Sequence, residues 1–329
     1  MNQVCRICGN NAGHTQHRLS EKMFGLGDQF DYFQCARCGC LQIAEFPTDW
    51  SRYYPPHYYS FLLGPVPQRG PKAWLAMRRD RTCLTAGADW LGLVLGKTVP
   101  AQLPIKALGR VPLRPDMRVL DVGCGRGQLL TVLHRAGFRR LQGVDPFLQN
   151  DLEVLPGLWV RKQTVESVRE QFDVIMLHHV LEHVENPLAV LLACRDRLAL
   201  NGKIVVRIPT AESATWERYG VNAVQLDAPR HLHLLSRTGL DMLTRKAGLG
   251  TLARWCDGTG FQFWVSELYR RGIPLADAQG RQTQPASYFS PQELKAFERE
   301  AEELNKLDRA DQFAVILVAD NRNDRRTMQ

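Results

Sequence analysis

Two pairs of cysteines near the start of the chain have the spacing of metal ligands. The pairs are Cys5-Arg-Ile-Cys8 and Cys35-Ala-Arg-Cys38, and a glycine follows each of them. Two residues between thiolates let one tight turn present both sulfurs to a single tetrahedral ion. The glycine can adopt the positive φ that turns backbone N–H groups toward the sulfurs. These cysteines therefore predict a structural Zn²⁺ site in a zinc ribbon over residues 1–46.

The other cysteines do not suggest a disulfide framework. The chain has nine cysteines in all, an odd number, and it begins without an apolar leader. A redox role for the two CxxC pairs is the alternative to zinc, and it is disfavoured because neither pair lies in a βαβ context. Cys40, His14 and His17 are further candidates for a ligand position in the ribbon.

A second group of chemistry-bearing residues lies in the segment MRVLDVGCGRGQLL. An apolar run ends at Asp121, and Gly123, Gly125 and Gly127 precede a helical pattern. Glycines in such a turn let the backbone approach a ligand closely, and the helix N-terminus favours an anionic group. The G-x-G-x-G spacing matches neither the dinucleotide fingerprint nor a P-loop.

The acids around this turn indicate which ligand it would take. Asp145 ends the next predicted strand, 24 residues after Asp121, where a carboxylate can accept both hydroxyls of a ribose. Asp121, two residues before the first glycine, can face a cationic amino group. S-adenosylmethionine carries a nucleoside, a carboxylate and an ammonium group, and it therefore fits these residues better than NAD does.

A third group consists of histidines in the segments HHVLEHVENP and PRHLHLLS, which follow two neighbouring predicted strands. On a helix, His179 would share a face with both Glu182 and His183. A neutral histidine can remove a hydroxyl proton as a general base. Alternatively, His179, Glu182, His183 and His231 can hold a divalent metal that lowers the pKa of a hydroxyl group. A purely structural role for Glu182 and His183 is the third interpretation.

From about residue 115 to residue 320 the sequence resembles the class I S-adenosylmethionine-dependent methyltransferases, and in particular bacterial members with the string LEHV. VLDVGCGRGQLL is similar to the first motif of that family, LQGVDP to the second, and FDVIML to the fourth strand. The resemblance implies methyltransferase activity (EC 2.1.1.-) and S-adenosylmethionine as cofactor. The cofactor-binding residues that it implies are Asp121, Gly123, Gly125, Gly127, Asp145, Pro146, Thr164, Val165 and His178.

Some quinone-biosynthetic and small-RNA 3′-end methyltransferases are similar in the histidine-rich region. They hold a metal with Glu-x-x-Glu-His and a later His, whereas this sequence has His179 where their first Glu stands. Loss of one carboxylate weakens a site for Mg²⁺, which prefers hard oxygen ligands. Zn²⁺ or Mn²⁺ would tolerate the change better.

The elements that must position these residues follow an α/β pattern. The resemblance implies a Rossmann-like, doubly wound and mostly parallel sheet of seven strands, with the last strand, Phe313–Ala319, antiparallel. Helical patterns are predicted over 72–95 and 187–200, the second ending at Asn201-Gly202, and VPAQLPIKALGRVPLRPD reads as a proline-punctuated linker. Ser290-Pro291, with Glu293 three residues after the serine, predicts a capped helix start.

These patterns divide the chain into four parts. The zinc ribbon is followed by an aromatic and helical connector, 47–115, which is a candidate lid. The methyltransferase domain covers 116–320 and includes an insertion at 257–289. Residues 321–329 are predicted to be a disordered tail.

Charge is concentrated in the N-terminal third. The net charge is +8, and residues 1–115 hold 14 basic and 7 acidic residues, which leaves +7 there and +1 in the rest. Such an excess favours an anionic partner. No apolar run is long enough to span a bilayer and no secretory signal is evident, so we expect a cytoplasmic protein.

Together these observations predict a methyltransferase for a small polar acceptor, such as a sugar or nucleotide-sugar, with O-methylation as the leading reaction. A methyltransferase that grips RNA with its ribbon is the first alternative; it is weakened because no dense Lys/Arg run interleaves with the aromatic residues. The second alternative is a non-catalytic binding module. Such a module would have no chemical need for an intact glycine turn with both acids. The oligomeric state stays open.

Overall fold

The computed structural model describes residues 3–55, 58, 70–87, 89–277 and 279–320, and the predicted tail and part of the connector lie outside them. The described residues form two sheets. Their strands are β1 (Thr15–Ser20), β2 (Gln29–Gln34), β3 (Leu41–Ile43), β4 (Arg118–Val122), β5 (Arg140–Val144), β6 (Leu152–Leu155), β7 (Leu158–Arg161), β8 (Phe172–His178), β9 (Leu198–Pro209), β10 (His233–Leu234), β11 (Leu249–Cys256) and β12 (Gln312–Ala319).

Helices cover both faces of the larger sheet. They are α1 (Pro71–Thr85), α2 (Trp90–Thr98), α3 (Leu103–Gly109), α4 (Gln128–Arg135), α5 (Pro187–Asp196), α6 (Ala214–Tyr219), α7 (Arg237–Lys246), α8 (Phe261–Arg270) and α9 (Pro291–Lys306). The central strands are apolar on both sides, as a sheet buried between two helix layers requires. Ile175 and Leu177 of β8 join the core beneath α5 and α7, whereas Val174 and Met176 join the core beneath α1, α3 and α4.

The larger sheet has the order β11-β12-β9-β8-β4-β5-β7-β6. Strands β9, β8, β4, β5 and β7 run parallel, and β12 is antiparallel to both of its neighbours, which confirms the prediction for Phe313–Ala319. The sheet therefore has eight strands rather than the predicted seven. The additional strand is β6, which pairs antiparallel with β7 at the sheet edge. The count of seven followed from the resemblance, and the partly exposed residues of β6 give only a weak strand pattern of their own.

The smaller sheet has the order β1-β2-β3-β10, so its last strand comes from the methyltransferase region. His233 and Leu234 pair with Gln42 and Leu41. The ribbon therefore shares a sheet with the rest of the chain.

Three predicted elements need correction. The expected linker contains α3, whose Ile105 and Leu108 are buried, because its apolar side chains cover one face of the large sheet. The helix predicted over 187–200 ends at Asp196, because the sequence from Leu198 onward pairs as β9. The helix predicted over 72–95 is two helices, α1 and α2, because Ala86 after α1 adopts a left-handed φ of 50°. The predicted insertion contains α8, which packs against α6 and α9. The capping box at Ser290 is present as predicted.

Candidate functional site

The four predicted zinc ligands come together. One ligand atom from each of Cys5, Cys8, Cys35 and Cys38 lies within 4.8 Å of the other three. The sulfurs of Cys5 and Cys38 are 3.6 Å apart, and those of Cys8 and Cys35 are 3.5 Å apart. Four sulfurs about 2.3 Å from a tetrahedral ion lie roughly 3.8 Å from one another. The cluster therefore has the size that Zn²⁺ needs.

The backbone around the cluster fits a structural site. Gly9 and Gly39 adopt φ of 77° and 73°, as the knuckle pattern predicts. The hydrogen bond with Cys38 and burial raise the pKa of the Cys5 thiol to about 12, and a bound cation opposes that shift.

The three spare candidates in the ribbon have other partners. His14 contacts the carbonyl of Gln3, the His17 ring lies edge-on to Trp216, and Cys40 packs against Ser236. The four-cysteine set is therefore sufficient without them.

The glycine turn follows β4 as predicted, and Gly123, Gly125 and Gly127 all adopt positive φ. A Cβ on Gly123 would lie 2.7 Å from Val180, and a Cβ on Gly127 would lie 2.8 Å from Val160. The turn therefore accepts no larger residue at these two positions.

Asp121 lies beneath this turn as a buried carboxylate, with 4% of its surface exposed. No hydrogen bond reaches this side chain from the residues that the structure describes. Burial, with a smaller contribution from the charge of Asp145, raises the pKa of Asp121 to about 8. A buried acid without a partner fits a cationic ligand group, because such a group would remove the cost of ionising it.

Asp145, directly after β5, shapes the other side of the turn. Its two carboxylate oxygens accept hydrogen bonds from the backbone N–H groups of Gly125 and Phe147, at 2.8 and 2.9 Å. These bonds fix the carboxylate at the carboxyl edge of the sheet, where a ribose would lie. Pro146 continues this loop, and Phe147 is 72% exposed.

Three further predicted cofactor residues lie at the same edge. Thr164 precedes a short 3₁₀ turn that begins at the buried Val165. His178 ends β8, and its predecessor Leu177 pairs with Val122 of β4. Both ring nitrogens of His178 are buried and no hydrogen bond reaches them within the described part of the chain. Burial lowers the pKa of His178 to about 3, so the ring is neutral.

The segment HHVLEHVENP is a turn and not the helix on which its spacing was interpreted. His179 has a φ of 55°, which no α-helix accommodates. The carbonyl oxygen of Glu182 accepts hydrogen bonds from the N–H groups of Leu232 and His233. Tertiary contacts with the β10 region therefore hold this turn.

His179 is half-buried and belongs to a chain of polar groups whose other members are buried. Arg207 donates to its Nε2 at 2.9 Å, so Nδ1 carries the proton and donates to Glu182 Oε1 at 2.9 Å. Arg207 also forms an ion pair with Asp257, at 2.5 Å. Both nitrogens of His179 are thus engaged, and this residue orients Glu182. Sequence analysis did not identify Arg207 or Asp257, because Arg207 lies in β9 and Asp257 directly follows β11, far along the chain from the histidine segment.

Glu182, His183 and His231 form a second candidate metal cluster, with one ligand atom of each within 4.8 Å of the others. The Nδ1 of His183 donates to the carbonyl of Arg230 at 2.9 Å, and that of His231 donates to the carbonyl of Gln225 at 2.7 Å. Each ring therefore keeps its lone pair on Nε2, which is how metal-binding histidines are commonly anchored.

The electrostatics of this cluster suit a cation or a proton transfer. Glu182 Oε2 is buried, and no described residue offers it a hydrogen bond. Burial opposes ionisation of Glu182, but the hydrogen bond from His179 and the nearby histidines lower its pKa to about 2. Burial and His231 lower the pKa of His183 to about 4. The cluster thus presents a carboxylate beside a neutral imidazole.

Tyr54 of the connector joins the two halves of the site. Its hydroxyl lies 3.3 Å from His183 Nδ1, and its ring stacks nearly parallel to that of Phe147, with centroids 6.4 Å apart. The sequence marked the connector as aromatic, but only the fold shows that Tyr54 reaches both the histidine turn and the Asp145 loop. The two rings therefore connect the histidine turn with the Asp145 loop.

Comparison with known families agrees with this architecture. A family model described as "Methyltransferase domain" matches residues 98–253, just under half of the chain. This range contains the glycine turn, both acids and the histidine clusters.

Similar curated proteins include the ubiquinone biosynthesis O-methyltransferases. That of Bradyrhizobium diazoefficiens is 38% identical over 100 residues, which are 27% of this chain and 39% of the relative. That of Xanthomonas campestris pv. campestris is 28% identical over 163 residues, which are 43% of this chain and 64% of the relative. The chain thus spans from two fifths to slightly under two thirds of the length of these relatives.

A solved methyltransferase from Archaeoglobus fulgidus overlaps 70% of this chain and 99% of its own, at 20% sequence identity and a TM-score of 0.40.

No helix in the described part of the chain is both long and apolar enough to cross a membrane. Residues 98–253 match a family of methyltransferase domains, and the mostly parallel sheet around the glycine turn agrees with that match.

Proposed function

We propose that this chain is an S-adenosylmethionine-dependent O-methyltransferase that acts on a hydroxyl group of a small polar acceptor. One observation carries the proposal. Asp121, which no described residue hydrogen-bonds, lies at the same edge of the sheet as the cluster of Glu182, His183 and His231. Tyr54 and Phe147 connect the two. The names of the curated relatives support oxygen as the methylated atom.

The donor side of the site follows from the fit of its residues. S-adenosylmethionine supplies the methyl group from its sulfonium. Asp121 would pair with the ammonium group and Asp145 with the ribose hydroxyls, and close packing of Gly123 on Val180 and Gly127 on Val160 would hold the turn between the two acids. His178, Pro146, Thr164 and Val165 would line the rest of the pocket. A neutral His178 adds no positive charge beside the sulfonium.

The acceptor side would activate a hydroxyl group. Its Glu182, His183 and His231 would hold a divalent cation, which lowers the pKa of a hydroxyl group when bound. The anchored Nδ1–H groups leave both imidazoles in the tautomer that such a role requires. The same tautomer lets His183 or His231 accept the hydroxyl proton directly. His179 orients Glu182 in either case.

The acceptor would lie beside the stacked rings of Tyr54 and Phe147. Flat aromatic faces pack against the rings of sugars as well as phenols. We propose a sugar, nucleotide-sugar or related metabolite, because the basic N-terminal third would favour an anionic group on the acceptor. An RNA acceptor is less well supported, since the ribbon contacts the chain's own β10 and α7.

Calorimetry tests the donor site. S-adenosylmethionine should bind with micromolar-range affinity, and Asp121→Ala or Asp145→Ala should abolish that binding. Asp151→Ala, which removes an exposed acid near the same edge, is the matched control. Undiminished binding by the Asp121 and Asp145 variants would refute the assignment of the pocket.

Methyl transfer from labelled S-adenosylmethionine tests the acceptor side. Separate assays offer nucleotide-sugars, free sugars, catechols and RNA as acceptors. The assay that shows turnover identifies the acceptor class. Loss of turnover with a chelator and its recovery with Mn²⁺ or Zn²⁺ would support the metal role. If the chelator leaves turnover unchanged but His231→Ala and His183→Ala abolish it, the result would support a general-base role for these histidines. Donor binding without turnover in any arm would favour a non-catalytic module.

A further inference from the structure

Helix α2 presents an apolar face to solvent. Trp90, Leu93 and Val94 are 72%, 52% and 50% exposed, and their spacing of three and four residues places them on one side of the helix. Lys97, one turn further, is exposed on the same side. We call these four residues the α2 face.

The packing of α2 on α1 fixes this orientation. Gly92 lies against Thr82, and a Cβ at Gly92 would overlap the Thr82 side chain. Arg78 of α1 forms two hydrogen bonds to Asp89, the residue before α2, at 2.9 and 2.6 Å. The side chains opposite Gly92 must therefore point away from α1.

A second exposed tryptophan lies beside this face. Trp74 of α1 is 47% exposed, and the guanidinium of Arg78 lies over its ring, 5.0 Å from the centroid. Arg78 also binds Asp89, which directly precedes Trp90. Helices α1 and α2, which pack on each other, thus each expose a tryptophan.

The charge around this surface is positive. Residues 71–110 contain seven basic and two acidic residues, a net charge of +5. Both acids are paired internally, Asp89 with Arg78 and Asp80 with Arg79 and Arg135. The exposed charges that remain are basic, and they include Lys72, Lys97 and Lys106.

We propose that the α2 face binds the surface of an anionic lipid bilayer. Tryptophan prefers the membrane interface, leucine and valine insert below it, and lysine reaches the headgroups. The surrounding positive charge complements anionic headgroups, with a contribution of about 1 kcal/mol for each basic residue near the surface. Two turns of helix are too short to span the bilayer, so the helix would lie on it. This inference does not depend on the proposed function.

Cosedimentation of the full chain with vesicles tests the proposal. The protein should bind vesicles of phosphatidylcholine mixed with phosphatidylglycerol, bind poorly to phosphatidylcholine alone, and dissociate as salt is raised. Leu93→Ser combined with Val94→Ser should weaken binding at least about tenfold. Lys97→Ala leaves the apolar residues intact and should weaken it about fivefold. The matched control is Leu200→Ser with Leu252→Ser, which removes two exposed leucines elsewhere.

Three results would overturn the proposal. One is the absence of binding to anionic vesicles at low salt. Another is an equal loss of binding in the control variant. The third is a dimer in sedimentation velocity that Leu93→Ser with Val94→Ser converts to a monomer, since a second copy would then cover the face. Circular dichroism shows whether each variant folds. If the double variant does not fold, the vesicle binding of Lys97→Ala still tests the proposal.

Discussion

Asp121 is a buried carboxylate that no described residue hydrogen-bonds, and burial raises its pKa to about 8. The proton that it binds below this pH competes with a cationic ligand group. Its folded-state pKa lies above the ordinary value, so ionisation costs stability as pH rises from about 4 to about 8. Ligand binding should therefore be coupled to release of this proton.

We predict that the affinity for S-adenosylmethionine rises with pH, by about tenfold between pH 6.5 and 7.5, because the carboxylate must lose its proton to pair with the ammonium group. Calorimetry across this range measures the slope. Asp121→Asn should bind weakly and with little pH dependence. An unchanged slope in Asp121→Asn would show that another group titrates.

Arg207 acts through His179 on Glu182, so it is a positioning residue. We predict that Arg207→Lys lowers kcat or metal affinity about 10- to 100-fold, because the short ammonium cannot bridge His179 and Asp257. Donor affinity should change little. Arg195→Lys at the surface is the control. Equal losses of kcat and donor affinity would indicate a general structural defect instead.

At the scale of elements, α2 shows how two glycines of one helix can have opposite roles. Gly92 has no room for a Cβ because Thr82 fills that space, whereas nothing lies within 4 Å of a Cβ at Gly96. The first glycine permits the close packing of α1 on α2, and the second only adds backbone freedom.

We predict that Gly92→Ala destabilises the protein by about 1–3 kcal/mol through overpacking. Gly96→Ala should stabilise it by about 0.5–1 kcal/mol, because alanine is the better helix former. Chemical unfolding followed by circular dichroism measures both. If the two variants were equally stable, α2 would not pack on α1 through Gly92.

For the whole molecule, the ribbon and the methyltransferase domain form one continuous structure. Strand β10 completes the ribbon sheet, and Tyr32 donates its hydroxyl to the carbonyl of His231 at 2.8 Å. Arg230, next to His231, forms a buried ion pair with Glu21 of the ribbon. Folding of the ribbon therefore fixes the position of a candidate catalytic residue.

We predict that the purified protein contains about one zinc per chain and that Cys35→Ser loses it. Turnover should fall at least about tenfold because β3 no longer holds β10, whereas donor binding at β4 and β5 should persist. Metal analysis, calorimetry and methyl transfer measure these effects. Cys83→Ser, outside the cluster, is the control. Full turnover by a zinc-free variant would show that the ribbon does not position the catalytic residues.

Local features of this chain could be predicted from its residues alone. The paired CxxC spacing, the glycine turn between Asp121 and Gly127, and the acid at 145 depend on short-range geometry, and the fold positions them as predicted. The parallel strands could be predicted because apolar runs bounded by turn residues are local sequence signals.

Packing of separate segments determines which histidines can act. Arg207 engages Nε2 of His179, whereas His183 and His231 keep their lone pairs on Nε2 because the carbonyls of Arg230 and Gln225 hold their Nδ1 protons. The eighth strand, the β10 connection and the position of Tyr54 likewise depend on partners far apart in the chain. Periodicity reports which residues are buried, but the contacts that hold a side chain are set when separate segments pack together.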